Sequence, residues 1–264
     1  MAAGRRSHSR SGIIFGWLKD SMTALVPPKE VRLVRQEPMS ERVRETARPP
    51  RKQIAPERRA EVGRGRRTRT RARIIAAAFD VLGDEQGLHA RAEDVAEKAS
   101  VTRATFYNHF AGMTELREAL SVELTHNFLE AVTATISVLP DARDRSALAV
   151  RFYLRRAAAD RRWAWSMINL SATGLIFGAE TFGEAERTLR EGVREGVFPH
   201  VSVPLGRDLL LGTTLAAMGS IVRGNLSENY PEEVAGAILF ALGVAREDAD
   251  TRARAPLPAL AHTD

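Results

Sequence analysis

The side chains best suited to a chemical role lie in one short run, VTRATFYNHF at residues 101–110. In a helix that turns about 100° per residue, one side of this run carries Arg103, Ala104, Tyr107 and Asn108. Together they present a guanidinium, a methyl group, a phenol and an amide. These groups contact base edges and phosphates when a helix enters the DNA major groove. The run therefore predicts a DNA-reading helix.

Residues suited to catalysis show no comparable grouping. His109, His126 and His200 are scattered, and no Ser–His–Asp order, glycine-rich phosphate loop or metal-ligand spacing accompanies them. The chain has no cysteine, which excludes disulfides and thiolate metal sites. We therefore expect no catalytic residues, no metal site and no cofactor, and we expect that the protein is not an enzyme.

The preceding residues predict how the DNA-reading helix is held. A stripe of small apolar residues recurs at the spacing i, i+3, i+4 and i+7 of one helix face: Ala92, Val95, Ala96 and Ala99. Thr102 can cap the next helix, because its hydroxyl can accept a hydrogen bond from a free N–H of the first turn. Phe106 and Phe110 lie one turn apart and can pack back on the stripe, which directs the polar side chains outward.

The run VTRATFYNHF, followed by TELREAL, resembles the helix-turn-helix of the TetR family of transcriptional regulators. The upstream stretch RARIIAAAFDVLGDEQGL is similar to the first helix of that family, so the resemblance covers about residues 66–120. It implies an all-α fold, with an N-terminal three-helix DNA-binding domain followed by a larger helical ligand-binding and dimerisation domain. We expect double-stranded DNA as the partner, contacted by Arg66, Arg67, Arg69, Arg91, Thr102, Arg103, Ala104, Thr105, Tyr107, Asn108 and His109.

Three positions depart from the family pattern. Arg91 stands where the family usually has Thr or Ser, and it cannot cap a helix by accepting a bond. Ser100 stands where the turn usually has Gly, so it must carry the backbone strain that Gly would relieve. Met113 replaces the Lys usually found shortly after the final aromatic residue, which removes one expected phosphate contact.

The net charge of +6 is distributed unevenly along the 264 residues. Residues 1–70 contain 18 Lys and Arg against 7 Asp and Glu, whereas the rest of the chain is mildly acidic. The densest basic run, RGRRTRTRAR at residues 64–73, precedes the first helix of the resemblance and is placed to follow phosphates or enter a minor groove. A basic tail that only keeps the protein soluble would show the same composition.

Residues 1–65 are predicted to form a basic, disordered extension, because their apolar residues show no sustained period. Residues 12–18 could be mistaken for a secretion signal, but Lys19 and Asp20 interrupt the apolar part and no cleavage site follows. Met39 is a possible alternative start. With no apolar run of membrane-spanning length, we expect a cytoplasmic protein without a membrane partner.

A long helix is predicted from Thr114 until Pro140 stops it. Its apolar residues recur every fourth position, at Leu116, Leu120, Leu124, Phe128, Val132 and Ile136. Such a stripe drifts by about 40° per step and winds around the helix. One helix can therefore pack first on the DNA-binding domain, predicted at residues 66–112, and then on a regulatory core, predicted at residues 113–246.

The regulatory core contains an aromatic-rich stretch, RRWAWSMINL at residues 161–170. Core packing accounts for any one of these aromatic residues by itself. As a group with neighbouring helices they predict an apolar pocket for a small-molecule effector, lined by Phe128, Phe152, Trp163, Trp165, Met167 and Phe177.

Two stretches near the C-terminus are apolar on most sides, at residues 205–222 and 234–244. Helices of this kind must be covered, and the resemblance implies that they pair with their copies in a homodimer. Residues 247–264 are predicted to be a polar tail. The sequence thus predicts a ligand-responsive, sequence-specific DNA-binding transcriptional regulator, a repressor acting as a homodimer on a palindromic operator. Two alternatives stay open: a protein of this fold that has lost specific DNA binding and acts through protein contacts, and a transcriptional activator.

Overall fold

Ten α-helices and one short 3₁₀ turn make up the regular structure of the described residues, in which there is no β-strand. The computed structural model describes residues 56–172, 176–224 and 226–261. The predicted all-α fold is confirmed. The helices are α1 (Pro56–Leu82), α2 (Ala92–Lys98), α3 (Arg103–Tyr107), α4 (Met113–Ile136), α5 (Ala142–Ala159), α6 (Arg161–Ser171), α7 (Gly178–Arg194), α8 (Val203–Arg223), α9 (Tyr230–Ala241) and α10 (Arg246–Ala253).

The first three helices form the predicted helix-turn-helix around a small apolar core. Val95 of α2, Phe106 of α3 and Phe110 just beyond it are almost completely buried. The second half of α1 supplies Ile74 and Leu82, which are also buried. These residues follow the spacing read from the sequence, so hydrophobic burial fixes which face of each short helix points inward.

The turn between α2 and α3 is a Schellman motif, in which the N–H of Val101 donates to the carbonyl of Ala96 and that of Ser100 to Glu97, both at 2.9 Å. The residue after the C-cap of this motif is usually Gly, since it takes a left-handed conformation. Here it is Ser100, with φ of 52°. Ser100 therefore carries the backbone strain that the sequence predicted for it.

Helix α4 joins two apolar clusters, as its drifting stripe predicted. Leu116 and Leu120 near its start are buried in the cluster that contains the helix-turn-helix. Val132 and Ile136 near its end lie in a second cluster with Phe152 of α5. One continuous helix therefore belongs to both apolar clusters.

Helix α6 makes a second connection to the end of α1. The Asn169 side-chain amide donates to the carbonyls of Leu82 and Asp84 at 2.9 and 2.8 Å, and is buried. A Cβ atom at Gly87 would come within 2.8 Å of the same amide. The Arg162 guanidinium binds the Asp80 carboxylate of α1 at 2.5 Å. These polar contacts thus join α6, which is rich in aromatic residues, to the end of α1.

The segment predicted as a polar tail forms a helix instead. Ala249 and Ala253 of α10 are buried, and Gly236 of α9 lets α10 approach closely.

The buried Arg151 guanidinium donates to the Glu232 carboxylate and to the backbone carbonyl of Ala255. Burial alone would raise the pKa of Glu232, but hydrogen bonds from Arg155 and Arg151 hold it below its ordinary value.

The boundaries predicted at residues 65 and 112 differ from the structure. Helix α1 begins at Pro56 and runs without interruption through residues 65 and 66. Residues 60–264 form one compact unit, because α4 and α6 pack the helix-turn-helix against the remaining helices. The predictions for residues 1–55, including the secretion-signal alternative and Met39, lie outside the described residues.

Among the described helices, α8 is long and apolar enough to cross a membrane by length and composition. This helix was not predicted from the sequence as an apolar run of membrane-spanning length. In the single chain 44% of the apolar 18-residue stretch of α8 is buried, and the helix packs against α5, α6, α7 and α9. A core helix of a globular protein passes the same test.

Replacing Ser100 with Gly is expected to stabilise the protein. Relief of the left-handed strain gains about 1–2 kcal/mol, while Gly makes the unfolded chain more flexible and loses about half of that. We expect a net gain of roughly 0.5–1 kcal/mol, measured as a higher urea midpoint. Ser137→Gly is the matched control, since Ser137 also ends a helix but has φ of −63°. Ser137→Gly should lower the urea midpoint. If Ser100→Gly lowers the midpoint as well, the backbone of Ser100 is not strained.

A pH-dependent clasp connects α4 to α7. His126 lies 3.0 Å from the Glu180 carboxylate and 3.4 Å from that of Glu130. The hydrogen bond to Glu180, and then the charge of Glu130, raise the pKa of His126. A raised pKa means that the clasp stabilises the fold fully below pH 6.5 and is lost as the pH rises through the folded-state pKa.

We therefore expect Glu180→Gln to lower the free energy of unfolding at pH 6 and to have almost no effect at pH 8. The groups are exposed, so the effect is small and weakens with added salt. Urea titrations of both proteins at the two pH values measure it. An equal effect at pH 6 and pH 8 would rule out a protonation-dependent clasp.

Candidate functional sites

The outer face of α3 presents the side chains that the sequence selected. Arg103, Ala104, Tyr107 and Asn108 are all exposed, while Phe106 on the inner face has 0% of its surface accessible. Tyr107 is 44% exposed, a large value for an aromatic residue. Its ring lies edge-on to Phe106, with the centroids 5.3 Å apart. The buried ring therefore supports the exposed one and fixes its direction.

The start of α3 is capped as predicted. The hydroxyl oxygen of Thr102 accepts a hydrogen bond from the backbone N–H of Thr105 at 3.1 Å. The two threonine hydroxyls also bond to each other at 2.8 Å. Thr105 is only half-exposed, so its first role in the free protein is to hold the cap. Both hydroxyls lie at the start of the outer face.

Arg103 is preorganised by two neighbours. Its guanidinium lies 3.2 Å from the Glu93 carboxylate of α2 and 5.6 Å from the centre of the Tyr107 ring. The Arg103 side chain is still 68% exposed. An exposed pair of this kind has little energy, so a phosphate or a guanine edge can replace the carboxylate at small cost.

Helix α1 adds a row of exposed arginines along the chain, of which Arg67 and Arg71 lie beside α3. A guanidinium N–H of Arg67 donates to the Asn108 carbonyl at 3.4 Å, and Arg71 lies 5.0 Å from the centre of the Phe110 ring. Among the described residues, none of the arginines in this row is paired with a carboxylate. The row comprises Arg64, Arg66, Arg67, Arg69, Arg71 and Arg73. Its unpaired charge is available to a polyanion.

His109 points partly inward, which differs from its prediction as a DNA contact. Its Nδ1 atom is buried and has no hydrogen-bond partner in the described part of the chain. Burial, and then the charges of Arg67 and Arg71, lower the pKa of His109. The imidazole is therefore neutral at pH 7, so any contact it makes with DNA is that of a neutral group.

Two of the departures from the family pattern have structural consequences. The side chain of Arg91, exposed at the start of α2, cannot accept a bond, but the Asp94 carboxylate accepts the Arg91 backbone N–H at 2.8 Å. Half of a capping box is thus retained. Met113 begins α4 and packs partly on the apolar core, so it has a packing role in place of a phosphate contact.

The residues predicted for the effector pocket are spread over three environments. Phe128, Trp163 and Phe177 surround Tyr153, with ring centroids 5.0, 6.0 and 5.2 Å from that of the tyrosine. Trp163 Nε1 donates to the Leu124 carbonyl at 3.3 Å. Trp163 is almost fully buried, so the cluster is chiefly packed core.

The other three predicted residues lie apart from Phe177. Phe152 belongs to the second apolar cluster, with the end of α4. Trp165 lies beside Arg223, whose guanidinium is 5.7 Å from its ring centre, and borders an open cleft with Gly83. Met167 is buried in the main core.

A small, mostly apolar cavity of about 50 Å³ lies between α4, α5, α7 and α8. Of the six residues predicted to line an effector pocket, only Phe177 lines this cavity, and the role of the other five stays a prediction. The polar residues at its surface include Ser146, Tyr153 and Thr181. The reason for the difference is packing, because the indole rings fill the space beside α6 and leave the void on the far side of Tyr153.

These three residues were not predicted from the sequence, because they belong to two different helices. One signal was present, since Ser146, Ala149, Val150 and Tyr153 recur at i, i+3, i+4 and i+7 on α5. A serine on an otherwise apolar stripe marks a polar position inside a core. Thr181 on α7 became recognisable only when folding placed its hydroxyl 3.0 Å from that of Tyr153.

Neither a metal nor a catalytic grouping accompanies these sites in the described ranges. There, no group of three or more His, Asp or Glu side chains has the geometry to hold a metal ion. The described residues form a basic, exposed surface on α1 and α3 and an apolar cavity between α4, α5, α7 and α8.

Comparison with known families places the helix-turn-helix. Residues 74–120 match the sequence family described as bacterial regulatory proteins, tetR family. This match confirms the resemblance predicted from the sequence, except for its first eight residues. A comparison with curated proteins found no significant match.

Several solved structures share the fold. A structure of RolR in complex with the ligand resorcinol has a TM-score of 0.62 and 24% sequence identity, and it covers 75% of this chain and 100% of that one. A putative tetR-family transcription regulator from Shewanella sp. PV-4 has a TM-score of 0.51 and 20% identity, covering 66% and 95%. The fatty acid degradation regulator FadR from Bacillus halodurans has a TM-score of 0.50 and 20% identity, covering 65% and 93%.

Proposed function

We propose that this chain, which carries the DNA-binding domain of the TetR family at residues 74–120, is an effector-responsive transcriptional repressor. It acts as a homodimer on a roughly palindromic operator and responds to a small molecule bound in its helical core. The observation that carries the proposal is the outward face of α3, where Arg103, Tyr107 and Asn108 are exposed above buried phenylalanines.

The outward face of α3 suits the major groove. A guanidinium can make bidentate contacts to guanine, an amide can do so to adenine, and a methyl group can touch thymine. Arg67, in the arginine row of α1, lies beside this face through its contact with Asn108. Base contacts from α3 would specify the sequence, and phosphate contacts from α1 would supply affinity that depends on salt.

Exposed apolar stripes on α8 and α9 support a homodimer. Leu205 and Ala216 of α8 are exposed, as are Ala237 and Phe240 of α9, with Phe240 at 48%. A second copy would cover these residues by hydrophobic burial. A twofold dimer presents its recognition helices about one DNA turn apart, so the operator would be roughly palindromic.

Two helices would couple the effector to DNA. Helix α4 borders the cavity with Val132 and packs into the helix-turn-helix core with Leu116. Helix α6 packs on Tyr153 through Trp163 and binds the end of α1 through Asn169. An effector that favours one position of these helices would change the spacing of the two recognition helices, and the DNA and effector affinities would then be linked.

The resorcinol complex of RolR, whose fold this chain shares, supports the idea that a core of this architecture responds to a small molecule. Nothing in that likeness transfers the ligand itself, which must be argued from the residues of this chain. The helical fold and the regulator-type DNA-binding domain also favour regulation over catalysis.

A second candidate is a protein of the same fold that acts through protein contacts. Met113 favours it, because this residue packs on the apolar core where the family usually has a Lys that contacts phosphate. Selection from random double-stranded DNA at low salt separates the candidates, since a protein without DNA binding retains no fragment. Whether bound protein represses or activates depends on the operator position relative to the promoter, which reporter assays measure.

Arg103→Ala and Tyr107→Ala are expected to abolish sequence preference. Each removes contacts that discriminate between bases by about 1–3 kcal/mol, or roughly 5- to 150-fold in the ratio of operator to random DNA affinity. Fluorescence anisotropy with the selected operator measures this ratio. Lys98→Ala is the matched control, because Lys98 lies on α2 and pairs with Asp80. An unchanged ratio in the α3 variants would argue against α3 as the reading helix.

Arg66→Ala is expected to weaken binding to operator and random DNA by the same factor. Loss of one phosphate contact should also make the slope of log affinity against log salt shallower by about 0.9. Arg254→Ala, which removes an exposed charge after α10, is the control for net charge alone. If both variants shift the slope equally, the arginine row has no specific place on DNA.

A further inference from the structure

The cavity between α4, α5, α7 and α8 has a chemistry that defines its occupant. We propose that it binds a small, uncharged molecule with one aromatic ring and a hydroxyl group, a phenol-type compound. This inference rests on the proposed effector response, because it names the chemical class of the effector.

Ser146 provides the strongest sign of a missing partner. Only 2% of its surface is accessible, and its Oγ atom has no hydrogen-bond partner among the described residues. A serine within a helix ordinarily bonds to the carbonyl one turn earlier, but Ser146 does not. A buried hydroxyl without a partner is unfavourable. A hydroxyl group on a bound molecule would satisfy it.

Tyr153 and Thr181 provide a second polar contact on the cavity wall. Both residues are buried, and their hydroxyl oxygens are 3.0 Å apart. Two hydroxyls carry two protons and their mutual bond uses one, so the other remains available to an acceptor. Burial raises the pKa of Tyr153 to about 12, so the phenol stays a neutral donor. An oxygen atom of the bound molecule is the natural acceptor.

The charged residues at the cavity exclude an ionic occupant. Arg145 donates to the carbonyls of Leu139 and Pro140, both at 2.8 Å, and binds the Glu191 carboxylate at 2.6 Å. The Glu184 carboxylate pairs with Arg187. Neither charge is therefore free to balance a carboxylate or an ammonium group. A charged molecule would lose hydration against the apolar walls and find no free counter-ion there, which is unfavourable.

The size and walls of the cavity favour one ring. A volume of about 50 Å³ is several times the minimum of about 10–15 Å³ that one water molecule needs, so the cavity suits a small molecule better than a long acyl chain. The Tyr153 and Phe177 rings line it with centroids 5.2 Å apart and planes inclined by 48°. Aromatic rings favour such offset contacts, and aliphatic side chains including Leu211 complete the wall.

Three probes of similar size test the assignment on the full-length protein by calorimetric titration: phenol, toluene and benzoate. We expect phenol to bind, toluene to bind about tenfold more weakly because it lacks the hydroxyl, and benzoate not to bind. Ala185→Leu, which fills the cavity, should abolish phenol binding. Benzoate binding as tight as that of phenol, or phenol binding unchanged by Ala185→Leu, would overturn the proposal.

Matched variants test the polar contacts. Ser146→Ala and Thr181→Val should each weaken phenol by about five- to tenfold, the loss of one hydrogen bond, while toluene affinity stays the same. Ser166→Ala is the control, since Ser166 is also buried and its hydroxyl lacks a partner in the described residues, but it does not line the cavity. Equal losses in all three serine and threonine variants would contradict a specific contact. Circular dichroism verifies that each variant is folded.

Operator affinity measured with and without phenol separates this proposal from the proposed function. If phenol binds in the cavity and leaves DNA affinity unchanged, the effector response fails and the cavity assignment stands. If the protein binds its operator but phenol does not enter the cavity, the ligand class is wrong and the DNA-binding function stands.

Discussion

Burial of Phe106 and Phe110 is the constraint on which the rest of this structure depends. The two rings are 5.9 Å apart and almost fully inaccessible. Helix α3 has only five residues, too few to be stable alone, so this burial holds it in place. Once the phenylalanines face inward, the helix period leaves Arg103, Tyr107 and Asn108 no direction except solvent. Specific recognition of DNA would therefore be a consequence of apolar packing.

Packed side chains also connect the cavity to the helix-turn-helix. Tyr153 contacts Trp163 on one side and borders the cavity with Thr181 on another. Trp163 belongs to α6, whose Asn169 holds the end of α1 by two hydrogen bonds. Close-packed cores have few intermediate arrangements, so an occupant that moves Tyr153 must move α6 or α4 as well. A shift of the packed helices α4 and α6 would therefore be enough to couple the cavity to the helix-turn-helix.

Several features depend on compensation between neighbouring residues. Ser100 occupies a left-handed position that favours Gly, and the two hydrogen bonds of its turn hold it there. Arg91 cannot cap α2, and Asp94 supplies the reciprocal bond. Phe177 also adopts a left-handed backbone, with φ of 60°, and its N–H donates to the Ser171 hydroxyl. Strain at Phe177 lies directly on the cavity wall, where functional sites often store it.

The sequence alone determined the helix-turn-helix, its inner and outer faces, the cap at Thr102, the strain at Ser100 and the winding stripe of α4. All of these depend on periodicity and on contacts between residues close in the chain, which spacing encodes directly. The position of the cavity was decided only by the tertiary structure. Its wall joins side chains from four helices, and the large indole rings of Trp163 and Trp165 filled the space where a pocket was predicted. The sequence alone did not predict helix α10 either, because its small buried alanines gain their apolar contacts only when the chain folds against α9 and α5.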